Sequence, residues 1–155
     1  MTKEEFGRRV TAAQGRMYRV ARGYLRGEHD CLDAASEAIC KAWQKRATLR
    51  DERYFETWLM RILTRECLNL LRGQKRVIPM EAPPEEAAPP SGNEALRAAL
   101  DALPQKYRAA VVLHYMEGYE VAEVATILRR PKGTVCSQLH YARLRLREML
   151  KEEIE

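Results

Sequence analysis

Five of the seven prolines of this chain lie within residues 77–93, a segment that reads VIPMEAPPEEAAPPSGN. Each proline lacks a backbone N–H donor and disfavours helical backbone at the residue before it, so the segment is a poor continuation of any helix. We therefore predict a flexible linker, which in an extended polyproline-like form at roughly 3.1 Å per residue would reach about 50 Å. Its composition alone fits a disordered surface loop without a function equally well. As a linker, it divides the chain into two small modules, residues 1–76 and 94–155.

The first module is predicted to be helical throughout. Its apolar residues recur at steps of three and four, which places them along one side of each helix. The three predicted stripes are Phe6, Val10, Ala13, Met17, Val20 and Tyr24; Ala35, Ala38, Ile39 and Ala42; and Phe55, Leu59, Ile62, Leu63, Leu70 and Leu71. Asp30 is predicted to be the N-cap of the second helix. No period-two strand pattern occurs anywhere, so the predicted fold class is all-α, with two small helical domains.

The second module has the pattern of a helix-turn-helix, whose second helix enters the major groove of DNA. A first helix is predicted to stop near Pro104, and a second to end at Gly118, a residue that tolerates positive φ. A short helix, a tight break at residues 129–131 and a long last helix follow. The predicted inward residues are Leu96, Leu100 and Leu103; Tyr107, Val111 and Tyr115; Val121, Val124, Ala125 and Leu128; and Val135, Leu139, Ala142, Leu146 and Met149. The pattern alone also fits an αα-hairpin in a plain helical bundle.

Charge is distributed unevenly along the chain. The net formal charge is +7 over residues 1–76, −3 over 77–93 and +1 over 94–155, while residues 129–147 hold six Lys/Arg and no Asp/Glu. A basic patch attracts polyanions, and a basic last helix suits the phosphates beside a DNA groove. The N-terminus lacks a signal-peptide layout and no apolar run is long enough for a bilayer, so we expect a cytoplasmic protein with no direct membrane insertion and with reduced thiols.

An enzymatic function is not expected. The sequence has no Gly-rich phosphate loop and no recognisable nucleophile motif, and we predict no catalytic residues, no bound metal and no cofactor. The cysteines lack CxxC spacing and are predicted to be mainly buried structural thiols. A zinc site made by His29, Cys31 and Cys40 is the minor alternative.

Three blocks of the sequence resemble the extracytoplasmic-function (ECF) group of the bacterial sigma-70 family. The first block, DCLDAASEAICKAW, resembles the segment that docks on RNA polymerase. The second block, FETWLMRILTRECLNLLR, resembles the helix that reads the −10 element. The third block, residues 103–150, resembles the domain that binds the −35 element. In this order, across a proline-rich linker, the three blocks resemble that family over nearly the whole chain.

The resemblance implies a promoter-specificity subunit that directs core polymerase to promoters and opens the −10 DNA. Residues 1–76 would bind the polymerase clamp and the −10 element, and residues 94–155 the flap and the −35 element, joined by the flexible Pro-rich linker 77–93. The residues that match the family's binding positions are Asp33 and Glu37 for polymerase; Arg61, Arg65, Asn69 and Arg72 for the −10 DNA; and Lys132, Thr134, Cys136, Ser137, Gln138, His140, Tyr141 and Arg143 for the −35 DNA. Such sigma factors are commonly held by an anti-sigma factor, although nothing in the sequence identifies one.

Several positions depart from the family pattern. Arg129 stands where glycine is usual in the turn, which predicts a strained or altered backbone there. Arg65 replaces a usual asparagine. Cys136, Gln138 and Tyr141 stand where basic residues are common, which predicts weaker binding to duplex DNA by the last helix.

Two functional alternatives stay open on sequence. A stand-alone helix-turn-helix regulator would bind operator DNA without polymerase, although the first module has no receiver or ligand-pocket signature. Separately, the aromatic residues Trp43, Tyr54 and Trp58 could stack on single-stranded bases, whereas both tryptophans are more often core residues.

Overall fold

The computed structural model describes residues 1–76 and 94–154, and over these ranges it is all-α, as predicted. The chain divides into two compact units, Met1–Ala82 and Pro83–Glu155. The predicted linker, residues 77–93, lies outside the described residues. The helices are α1 (Lys3–Tyr24), α2 (Glu28–Gln44), α3 (Phe55–Arg76), α4 (Glu94–Ala102), α5 (Gln105–Val111), α6 (Val121–Leu128) and α7 (Lys132–Ile154), with 3-10 turns at Arg46–Thr48 and Glu52–Tyr54 and a π-helical turn at Val112–Met116.

The first unit is a bundle of α1, α2 and α3, in which each helix packs against the other two. Helix α1 begins at an N-cap, Thr2, whose hydroxyl accepts a hydrogen bond from the Glu5 N–H at 3.2 Å. All six residues of the stripe predicted for α1 are buried, which confirms that stripe. Helix α2 begins at Glu28 with Gly27 as its N-cap, so the prediction of Asp30 as the cap is wrong. Asp30 instead lies in the first turn, where a carboxylate still favours the positive end of the helix dipole.

Small side chains bring α2 close to α3. The buried residues of α2 are Cys31, Ala34, Ala38 and Ala42. On α3, Leu59 and Leu63 are buried as predicted, together with Cys67. Since alanine and cysteine occupy little volume, the leucines of the facing helix can pack against the α2 backbone without voids.

The second unit places α7 against α4, α5 and α6. Helix α4 ends at Ala102, before Pro104, and Gly118 adopts a φ of 78°, so both predicted boundaries are confirmed. Tyr115, predicted to face inward, is 46% exposed, and that prediction is wrong. The cause is the π-helical turn, in which the Glu117 N–H bonds the Val112 carbonyl at 3.1 Å, five residues back. A wider turn moves Tyr115 off the stripe that a regular α-helix would continue.

Within residues 1–76 and 94–154, no helix has the length and apolar character needed to cross a lipid bilayer.

Candidate polymerase and nucleic-acid interfaces

Helix α2 exposes an acidic face. Asp33 and Glu37 lie one helical turn apart and both are exposed. The Asp33 carboxylate lies 3.4 Å from Nε2 of His29, an interaction that is ionic only when the imidazole is protonated. Leu32, beside Asp33, is 51% exposed, so the face also offers an apolar side chain. A partner with a basic, partly apolar surface would complement this face.

An ion pair ties α2 to α3 next to the acidic face. The Lys41 ammonium lies 2.5 Å from the Glu66 carboxylate, and the side chain of Glu66 is only 11% exposed. The hydrogen bond that Lys41 donates to Glu66 raises the pKa of Lys41, and the charges of Glu66 and Glu37 act in the same direction. A buried carboxylate needs such a partner, because desolvation penalises an unpaired charge. The pair therefore links α2 to α3.

Helix α3 carries the predicted −10 residues along one face. Arg61, Arg65, Asn69 and Arg72 follow one another at steps of four, four and three, so they share one side of the helix. Arg65, Asn69 and Arg72 are exposed, and Arg61 is half-buried. Three guanidinium groups and one amide on a single face can contact phosphates and base edges.

The connection between α2 and α3 contains an aromatic cluster. The Phe6 ring centroid lies 5.1 Å from that of Trp43 and 5.8 Å from that of Phe55, and the Trp58 ring lies 5.9 Å from Phe55. The Arg46 guanidinium sits 3.8 Å from the centroid of the Trp43 ring. Both tryptophans are thus half-buried parts of this cluster, and Arg46 occupies a face on which a base would have to stack.

Tyr54 differs from the two tryptophans because it is 60% exposed. It ends a 3-10 turn whose N-cap, Asp51, accepts hydrogen bonds from the backbone N–H and the guanidinium of Arg53. These bonds lower the pKa of Asp51 and raise that of Arg53. Of the three aromatics considered, Tyr54 has the ring surface that an unstacked base could reach.

In the second unit, α6, the turn and α7 form the predicted helix-turn-helix. Arg129 has φ 55° and ψ 51°, a left-handed conformation. This is a strained backbone for a residue other than glycine, as the departure from the family pattern predicts. The Arg130 N–H bonds the Ala125 carbonyl at 3.0 Å, and the Arg129 N–H bonds the Thr126 carbonyl at 3.4 Å. This pair of bonds is a Schellman motif, in which glycine is the usual residue at the left-handed position.

Helix α7 turns most of the predicted −35 residues outward. Its buried side is formed by Val135, Leu139 and Ala142, in agreement with the predicted stripe. The exposed predicted residues are Lys132, Thr134, Cys136, Ser137, His140, Tyr141 and Arg143, and Gln138 is half-buried.

Two of these residues have partners on other parts of the second unit. The Gln138 Oε1 accepts a hydrogen bond from Nη1 of Arg130 at 2.8 Å. The Tyr141 ring packs against Tyr107 of α5, with centroids 4.6 Å apart and planes tilted by 34°. The beginning of α7 thereby lines an open groove of about 640 Å³, whose walls are Tyr107, Pro131, Gly133, Thr134, Ser137, Gln138 and Tyr141.

The sequence did not reveal Arg130 or Tyr107 as part of this site. Tyr107 was predicted to face inward, and nothing in its local pattern shows that a residue of α7 packs on its ring. Arg130 was predicted only as part of the break between helices. Both roles depend on pairing across the fold, a signal that a single sequence does not carry.

The zinc alternative is not supported by the described residues. Cys31 is buried while Cys40 is exposed, and His29 is largely exposed. Among residues 1–76 and 94–154, no group of three or more His, Cys, Asp or Glu side chains is placed to hold a metal ion. Cys67 is buried, and burial raises the pKa of its thiol well above the usual value.

Family models match both units. Residues 10–77 match Sigma-70 region 2, and residues 93–146 match Sigma-70, region 4.

Several curated relatives are RNA polymerase sigma factors. SigV of Bacillus subtilis is 29% identical over 149 residues, which span 93% of this chain and 90% of SigV. The ECF sigma factor SigM of Mycobacterium tuberculosis is 34% identical over 141 residues, which span 86% of this chain and 71% of SigM. The sigma-E factor of Streptomyces coelicolor is 31% identical over 152 residues, which span 94% of this chain and 86% of that protein.

Two solved structures share the fold. The sigma factor RpoE of Bartonella quintana, solved in complex with the anti-sigma factor NepR, has a TM-score of 0.77 at 22% identity, covering 96% of this chain and 98% of RpoE. CnrH, solved in complex with the cytosolic domain of CnrY, has a TM-score of 0.75 at 21% identity, covering 97% of this chain and 90% of CnrH. Both regions of the family, in order along the chain, and relatives above 30% identity show that this protein belongs to the extracytoplasmic-function group of the sigma-70 family of RNA polymerase sigma factors.

Proposed function

We propose that this chain binds core RNA polymerase through α2, reads and opens the −10 element with α3 and the turns before it, and binds the −35 element with α7. The observation that carries the proposal is that the first unit has two oppositely charged helix faces, an acidic one on α2 and a basic one on α3. The Lys41–Glu66 ion pair links the two helices. One face repels DNA phosphates and the other attracts them. A small unit with both can bridge a basic protein surface and a nucleic acid.

The acidic face is assigned to the polymerase clamp. Asp33 and Glu37 are exposed and lie on the same side of α2. Carboxylates in this arrangement favour a basic protein partner, because complementary charge steers association and fixes orientation. The exposed Leu32 would supply apolar contact at the same place.

The basic face of α3 is assigned to the −10 element. Opening a duplex requires capture of a base that has left the stack, at a cost of a few kcal/mol that stacking and edge hydrogen bonds offset. Arg65 and Arg72 would hold the backbone, and the amide of Asn69 can bond a base edge. Tyr54 offers an exposed ring near the start of α3.

The outward side of α7 is assigned to the −35 duplex, and residues 94–155 also to the polymerase flap. Ser137 and His140 can hydrogen-bond base edges, while Lys132 and Arg143 can neutralise phosphates. Residues 77–93 are assigned the role of the linker between the two promoter elements. The proposed role requires no catalytic chemistry or cofactor from this chain, and places it in the cytoplasm with the polymerase. An anti-sigma factor is a further proposed partner.

The proposal is tested by adding the purified chain to sigma-free core polymerase and mapping transcription starts on a promoter library. We expect initiation at defined sites with selection at both elements. Tight binding of the isolated chain to a duplex operator, without initiation, would instead support a stand-alone regulator.

The polymerase face is tested by charge reversal. Asp33→Lys/Glu37→Lys should weaken core binding at least tenfold while leaving the helical circular dichroism unchanged. The matched control, Glu4→Lys/Glu148→Lys, makes the same change in net charge at two other exposed acidic positions. Equal core binding by both double variants would contradict the assignment of α2.

A further inference from the structure

One arginine of the turn holds three parts of the second unit together. Nη1 of Arg130 donates a hydrogen bond to the Lys106 carbonyl of α5 at 2.9 Å and another to Oε1 of Gln138 on α7 at 2.8 Å. Both Arg130 and Gln138 are half-buried, so these bonds are partly shielded from water. The turn, the start of α5 and the second turn of α7 are linked through this single side chain.

The chemistry of the guanidinium decides which way the Gln138 amide points. Arginine has only hydrogen-bond donors, so the amide must present its oxygen to Arg130. Its NH2 group lies on the other branch of the planar amide and remains to donate to a ligand, and Gln138 lines the groove at the start of α7. A glutamine that reads adenine uses both its oxygen and its NH2 on one base. Arg130 uses one lone pair of the Gln138 oxygen and fixes the orientation of the amide, which disfavours the alignment of both groups with one adenine edge.

Tyr141, three residues after Gln138 on α7, lines the same groove and is also held in place. Tyr141 packs on Tyr107 with centroids 4.6 Å apart, and Nη1 of Arg145 donates to the Tyr141 hydroxyl at 3.4 Å. Tyr141 is therefore held from two sides next to Gln138. A rigid wall and a fixed amide make a preorganised site, which loses less entropy on binding than a mobile one.

We propose that Arg130 is a positioning residue that engages the Gln138 oxygen and leaves the NH2 group as the donor toward DNA, so that Gln138 selects an acceptor edge in the −35 element. The matching acceptors in the major groove are guanine O6 and N7, adenine N7 and thymine O4, whereas cytosine offers only its N4 amine, a donor. This inference rests on the proposed binding of α7 to duplex DNA. It gives Gln138, which lacks the positive charge usual at its position, a role in choosing the base rather than in holding the phosphate.

The test uses holoenzyme assembled from the full chain and core polymerase, and a promoter library randomised over the −35 element. Bound DNA is sequenced at two salt concentrations. The wild-type chain should select against cytosine at one position, and Gln138→Ala should reduce that discrimination about five- to 150-fold. Gln138→Glu keeps a partner for Arg130 but offers acceptors only, so it should shift the preference at that position to cytosine.

Arg130→Ala frees the amide oxygen for the adenine N6 amine, so adenine should become the preferred base at the same position, while base preference at the other positions stays unchanged. In the Gln138→Ala background, Arg130→Ala should cause no further change in base preference. Arg129→Ala is the matched control, since it removes an exposed arginine from the same turn, and it should leave base preference unchanged. The melting temperature and circular dichroism of each variant establish that it is folded.

Two results would overturn the inference. If Arg130→Ala weakens binding to all sequences equally and lowers the salt slope by about one unit in both backgrounds, Arg130 is a phosphate contact and does not position Gln138. If the wild-type preference survives in Gln138→Ala and Gln138→Glu, Gln138 reads no base. A wild-type holoenzyme that selects no −35 sequence at all would instead refute the proposed role of α7.

Discussion

Replacing Arg129 by glycine should stabilise the second unit, because its backbone is left-handed at φ 55°. This conformation costs an L-residue roughly 1–2 kcal/mol of conformational free energy. Glycine avoids that cost but loses about 0.5–1 kcal/mol more backbone entropy on folding. The difference predicts that Arg129→Gly raises the free energy of unfolding by about 0.5–1 kcal/mol. The hydrogen bonds of the turn come from the backbone and should persist.

Native-state hydrogen exchange of the full chain is the suitable assay, since it reports each unit separately. Amides of α6 and α7 that exchange by unfolding of the second unit should exchange about two- to fivefold more slowly in Arg129→Gly. Amides of α1 to α3 provide an internal reference. Arg129→Ala removes the side chain but keeps the left-handed cost, so its exchange should match that of the wild type. Equal exchange in Arg129→Gly and Arg129→Ala would refute the strain reasoning.

Four further predictions concern the first unit. Leu59→Ala should lower the free energy of unfolding by about 2–5 kcal/mol in chemical denaturation, because Leu59 is fully buried and its loss leaves a cavity. Lys41→Met should lower the melting temperature by leaving Glu66 buried without its partner, and Lys41→Met/Glu66→Met should recover most of that loss. Because the pKa of Lys41 is raised in the folded state, the stabilising contribution of the Lys41–Glu66 pair should be lost as the pH rises from 10.5 through that folded-state pKa. A pH series of melting curves measures this loss. Native alkylation followed by mass spectrometry should label the exposed Cys40 and spare Cys67, whose burial raises the pKa of its thiol.

Local sequence determined most of the helices. Periodicity at three and four residues predicted the buried side of α1, and proline or glycine predicted the ends of α4 and of the turn after α5. These signals are local, because a helix repeats every 3.6 residues and its breakers act on adjacent backbone. The stripe failed at Tyr115, where a π-helical turn inserts an extra residue without any breaker in the sequence. The cap of α2 was also misplaced, since Gly27 and Asp30 both suit an N-terminus and backbone conformation chose between them.

The sequence by itself also placed the proposed binding residues on α2, α3 and α7, because a resemblance carries residue positions along the chain. Only the tertiary structure decided how those side chains are held. The ring of Tyr141 meets Tyr107 on another helix, and the amide of Gln138 meets Arg130 across the turn. Each of these two contacts depends on how close the two backbone segments lie in the folded unit and on how their side chains then pack. Helical periodicity constrains which side of one helix is buried, whereas the partner found on that side is set by the packing of the whole unit.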